Sequence, residues 1–98
     1  MARIISSKTA LLDLEKLTDF LLEINPQAAV ETADLIQEAI VVLKRHPLIG
    51  RRIEADLREL VISRGKTGYV ALYSHESDQD AVLILTIRHQ REAGYIVS

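Results

Sequence analysis

The side chains best suited to chemistry in this chain are cations and histidines, and most lie in its second half. Arg88 stands first among them. It ends an apolar run, Ala81 to Ile87, so a strand there would carry a guanidinium out of the core at a sheet edge. The competing role is an ion pair with a nearby acid. His89 comes next, with a side chain whose ordinary pKa suits a general acid or base near neutrality. Its alternative is a strand-end residue hydrogen-bonded locally. His46, before Pro47, reads as a helix-end residue, where positive charge is favoured by the helix dipole. His75 reads as a loop residue. Histidines so dispersed show no zinc-ligand spacing, and no metal or cofactor is expected. Arg51-Arg52 can touch nucleic acid or simply be solvated. Arg58 and Glu59 form either a functional pair or the ordinary alternation of a half-exposed strand. Tyr69 and Tyr73, four apart on one strand, share a face. They can stack on a base or pack under helices.

Composition narrows the field. The chain has 98 residues, enough for one domain, and 48% are hydrophobic, which argues against disorder. Phe20, Tyr69, Tyr73 and Tyr95 are the only aromatics, so the core must be aliphatic. The absence of cysteine excludes disulfides, thiolate metal sites and a cysteine nucleophile. Residues 1–43 carry three bases and seven acids; residues 44–98 carry nine bases and seven acids. With a pI near 5.9, the chain is a poor general nucleic-acid binder and free DNA is not an expected partner, though a local basic surface on the second half stays open. Met1 to Ile5 is too short for a signal peptide, and no apolar run reaches membrane-spanning length. A cytoplasmic protein with no membrane partner is expected.

The elements that would position these residues follow from local signals. Arg3 to Ser6 makes a short strand. Ser6 or Ser7 offers an N-cap, and Ala10, Leu14, Leu17, Leu21 and Ile24 recur at helical steps. Asn25-Pro26 ends that helix and opens a second, with Asn25 as cap and Pro26 at the first helical position. Ala29, Ala33, Ile36, Ile40 and Leu43 make its buried face, and the small alanines suggest close helix packing. His46-Pro47 stops it. Leu48 to Arg52 reads as a loop, Leu57 to Ser63 as a strand, Gly65 to Gly68 as a turn and Tyr69 to Tyr73 as a strand. His75 to Asp80 reads as a hairpin loop. Ala81 to Ile87 reads as a central strand buried on both faces, and Arg88 to Tyr95 as a polar tail. The order β-α-α-β-β-β predicts an α+β domain over residues 1–98, a helical hairpin on one face of a mainly antiparallel twisted sheet.

Several stretches in this order carry a resemblance. They are Asn25-Pro26 with Ala28-Ala29, Ala39-Ile40 and Leu43 before His46-Pro47 and Gly50-Arg51, Leu57-Arg58-Glu59-Leu60, Gly68 to Tyr73, and Ile87 to Glu92. Together they make the chain similar to the RelE/ParE superfamily, closer to its ParE-like members. The resemblance implies the toxin of a type II toxin–antitoxin system, neutralised by a cognate antitoxin. RelE-like members cut messenger RNA on the ribosome; ParE-like members poison DNA gyrase.

RNA cleavage by 2′-hydroxyl attack needs a base, an acid and cationic stabilisation of the transition state. On the resemblance, the residues for such a site are Arg58, Arg88, His89, Arg91 and Tyr95, and a target-binding surface would use Arg58, Arg64, Lys66, Arg88, His89 and Arg91. The pattern departs from the nucleases at Val70, where they commonly place an arginine. The strand preceding it also lacks paired lysines; its Val61 and Ile62 are apolar. The leading expectation is therefore a ParE-like gyrase inhibitor that works by binding, with ribosome-dependent RNA cleavage as the alternative and a non-toxic antitoxin-binding scaffold as a third reading. Leu14, Leu17, Leu21 and Tyr73 are expected to meet the antitoxin.

Overall fold

The computed structural model describes residues 1–64 and 67–90. Strand β1 (Arg3–Ser6) leads into helices α1 (Lys8–Ile24) and α2 (Pro26–Arg45), followed by strands β2 (Arg51–Glu54), β3 (Leu57–Arg64), β4 (Thr67–Glu76) and β5 (Ala81–His89). A single 3-10 turn, Ser77–Gln79, joins the last two strands.

The helix boundaries follow the capping chemistry. The Ser7 side chain accepts the Ala10 backbone N–H at 3.0 Å and donates to the Leu85 carbonyl at 2.9 Å. One residue thus caps α1 and ties it to β5. Asn25 is the only residue between the helices. Its N–H closes α1 on Leu21, and its side-chain oxygen accepts the Gln27 and Ala28 N–H groups at the start of α2. Pro26 sits where no N–H is needed. At the far end, His46 closes α2 on the Val42 carbonyl, and Lys44 and Arg45 complement the negative end of the helix dipole.

The five strands lie in the order β1-β5-β4-β3-β2. Neighbours are antiparallel except β1, which runs parallel to β5. Both helices cover one face. There Ile36, Ile40 and Leu43 of α2 and Ala10 of α1 meet Ile62, Tyr69, Ala71, Tyr73, Val82, Ile84 and Ile87 of the sheet. Complete burial of an aliphatic such as Leu43 or Ile84 contributes about 1.5–3 kcal/mol each. The expected central strand is real in position: β5 lies between β1 and β4, with Val82 and Ile84 fully buried, whereas Leu83 and Leu85 are only half-buried, so burial is not complete on both faces. A register shift opposite Leu72 and Tyr73 leaves Leu85 without a matched residue on β4, and this bulge is where Ser7 attaches.

Three expectations are corrected. Arg51 and Arg52 begin strand β2 instead of lying in a loop, which makes five strands where four were expected. The strand is short, charged and at the sheet edge, so it lacks an apolar pattern to announce it. His75 belongs to β4, and the turn comes later, through Asp80 in a left-handed conformation at φ 48°. Arg88 and His89 end β5 and are not part of a tail.

Candidate functional site

At one end of the sheet the stretch from His46 to Gly50 is fastened from beneath. Tyr73 on β4 is fully buried. Its hydroxyl donates to the Pro47 carbonyl at 2.7 Å and accepts the Gly50 N–H at 2.9 Å. Burial raises the pKa of this phenol above its ordinary value, outweighing the Gly50 hydrogen bond and the Arg58 charge, which both lower it. Arg58 on β3 is register-paired with Tyr73 and donates to the Gly50 carbonyl at 2.9 Å and the Leu48 carbonyl at 3.1 Å. Gly50 is needed for the close approach. A Cβ there would lie 2.6 Å from the Tyr73 hydroxyl and 2.9 Å from the Glu59 carbonyl oxygen. Glu59 pairs with Arg51 at 3.0 Å, not with Arg58.

The opposite end of β4 faces a groove between α1 and β5. It encloses about 380 Å³ and is bordered by Asp13, Lys16, Leu17, Phe20, Ile87, Arg88 and His89. The Asp13 carboxylate accepts the Ile87 backbone N–H at 3.1 Å. It thereby satisfies the outer edge of β5 beyond Ser6, where β1 ends. His89 meets Tyr69 edge to face, with ring centroids 5.5 Å apart. Among the described residues no three acidic or histidine side chains gather as metal ligands.

A family model described as the ParE toxin of the type II toxin–antitoxin system, parDE, matches residues 4–94. The chain belongs to the ParE toxin family. As such it is the toxin component of a type II system within the RelE/ParE superfamily. It is 42% identical over 80 residues to Toxin RelE3 of Caulobacter vibrioides, which covers 82% of this chain and 85% of that one. Among solved structures, the chromosomal ParDE system of P. aeruginosa superimposes with a TM-score of 0.73 at 22% identity, over 91% of this chain and 96% of that one. The RelBE2 toxin–antitoxin complex of Mycobacterium tuberculosis gives 0.61 at 27% identity, over 91% and 98%.

Within this ParE-family toxin the candidate residues separate. Directly paired strand residues share a face, so Arg58 beside Tyr73 and His89 beside Tyr69 both belong to the helix-covered face. They are level with positions four residues apart on β4, about 13 Å along the strand. Arg88 pairs with Val70 and belongs to the other face. The structure brings Arg88 and His89 to one groove and leaves Arg58 at the far end. Arg64 closes β3; its side chain, like Lys66, Arg91 and Tyr95, lies outside the described residues. Tyr73 is corrected as an antitoxin contact, because it presents no surface. Leu14 and Leu17 pack against the core, and Leu21 is half-buried. The exposed apolar residues of α1 are instead Leu11, Leu12, Phe20, Leu22 and Ile24. Asp13, Lys16 and Phe20 were missed as groove residues. Phe20 falls one position off the buried stripe and is 59% exposed, a signal readable from its spacing.

Proposed function

We propose that this ParE-family toxin arrests growth in the cytoplasm by binding DNA gyrase and does not cleave RNA itself. The observation that carries this reading is the commitment and separation of the cations among its described residues. Arg58 is spent on two loop carbonyls, about 13 Å along the sheet from the His89 level. Val70, where RelE-like nucleases place an arginine, is an apolar side chain only 2% exposed. A missing transition-state cation costs about 2–4 kcal/mol by analogy with a lost oxyanion donor. Among the described residues the groove gathers His89, Asp13, Lys16 and Arg88, but Asp13 is committed to the Ile87 N–H and Arg58 stands apart from them. Arg88 and His89, which border an open groove, are the residues proposed to meet the target. A cognate antitoxin would cover the exposed Leu11, Phe20, Leu22 and Ile24 of the helical hairpin.

The second reading, ribosome-dependent RNA cleavage, draws on the 42% identity to a chain named Toxin RelE3. Induced expression in a test bacterium separates the two. Filamentation with a DNA-damage response, and inhibition of gyrase supercoiling by the purified toxin, are expected. Prompt translation arrest with cleaved messages would replace this reading with the nuclease. Normal growth would replace it with an antitoxin-binding scaffold.

A further inference from the structure

The stretch from α2 to β2 carries a second exposed surface, at the opposite end of β4 from the Arg88–His89 groove. A depression of about 500 Å³ is bordered by Arg45, His46, Pro47, Leu48, Ile49 and His75. Arg45 and His46 also border an adjoining depression of about 400 Å³, where Met1, Val41 and Val42 add apolar surface. Leu48 and Ile49 are each 56% exposed. Two large aliphatics more than half exposed on a loop gain little from folding, yet this loop is anchored from beneath. Tyr73 and Arg58 fix the Pro47, Leu48 and Gly50 carbonyls and the Gly50 N–H through four hydrogen bonds. A partner that covered Leu48 and Ile49 would therefore pay little ordering entropy.

Charge indicates what the partner is. Between Lys44 and Arg52 the chain has four Lys and Arg residues, one histidine and no acid. Of these cations only Arg51 is ion-paired among the described residues, with Glu59. The two depressions have an apolar centre bordered by Lys44, Arg45, His46 and His75 and by no acid, in a chain whose first 43 residues carry a net −4 from three bases and seven acids. A phosphate backbone would match the rim but leave the aliphatic centre unmet. A peptide with acidic residues around apolar anchors matches both.

We infer that the Arg45–Ile49 knuckle is a preformed docking site for an acidic, apolar-anchored segment of a partner protein. The site stands independently of whether gyrase or the ribosome is the target. The test is selection of random dodecapeptides on the immobilised full-length chain, followed by affinity measurement of the enriched peptides. These are expected to be acidic with paired aliphatic or aromatic anchors, and to bind less well as salt rises. Their affinity should fall at least about tenfold in a Leu48→Ser/Ile49→Ser variant and in a Lys44→Gln/Arg45→Gln variant, each still folded by far-ultraviolet circular dichroism, and should not change in Phe20→Ser. Failure to enrich any peptide, enrichment of basic or uncharged ones, loss of binding in Phe20→Ser alone, or displacement of the peptides by a single-stranded DNA oligonucleotide would each overturn the site.

Discussion

Replacing Tyr73 by phenylalanine removes one oxygen and keeps the ring. That oxygen serves two backbone groups, the Pro47 carbonyl at 2.7 Å and the Gly50 N–H at 2.9 Å, inside a fully buried environment. Each buried polar group left without a partner costs about 1–3 kcal/mol. Pro47 is half-buried, so water can partly replace the hydroxyl there, whereas Gly50 is buried. The two together give an expected loss of about 2–4 kcal/mol, against a total stability of about 5–15 kcal/mol for a domain. Urea unfolding followed by far-ultraviolet circular dichroism measures it, and the midpoint should fall while the slope stays constant. The melting temperature should drop by at least about 8 °C. A Gly50→Ala variant should be destabilised independently. The phenylalanine ring would not rescue it, because the new methyl would still meet Tyr73 Cε1 at 2.7 Å and the Glu59 carbonyl at 2.9 Å. A Tyr73→Phe variant within about 0.5 kcal/mol of the parent, the range of an ordinary surface change, would refute the claim that this hydroxyl holds the loop.

The same phenol predicts a pH dependence. Its pKa is raised in the folded chain, so the unfolded chain releases the proton first; the contribution is complete below the unfolded value of about 10 and is lost as pH rises through the folded value. Alkaline unfolding of the parent should show a slope that Tyr73→Phe lacks, and parallel curves would contradict it. Ser7→Ala removes an N-cap and the donor to Leu85; a loss of about 1–2 kcal/mol is expected by thermal melting, and a change below a few tenths would show the cap to be dispensable.

Much of the architecture is legible where the controlling signal is local. Asn25-Pro26 and His46-Pro47 set helix ends through capping geometry and missing donors, and both positions were readable. The Ala81–Ile87 run was readable as a central strand because it is an unbroken apolar stretch, although Leu83 and Leu85 are only half-buried and the helices cover one face alone. Strand β2 was not readable, since an edge strand of Arg-Arg-Ile-Glu has the composition of a loop until Glu59 appears across from Arg51. The role of Arg58 was hidden for a related reason. Its partners are backbone carbonyls eight and ten residues away, and carbonyls leave no mark in side-chain identity. For Tyr73, strand alternation fits either face, so stacking and packing under the helices are equally readable. Only the helices above it decide that it faces inward.

The pairing of β1 with β5 has a consequence for how the protein comes into being. Arg3 to Ser6 must lie beside Ala81 to Ile84, so the first strand made has no partner until nearly all the described chain exists. At a synthesis rate of roughly 5–20 residues per second, that wait is about 4–17 s. During it, Ser7 also lacks the carbonyl of Leu85 to which it is later tied. Closing so large a loop comes late in folding. The finished sheet thus waits on the synthesis of Ala81 to Ile84, long after the strand they pair with has been made.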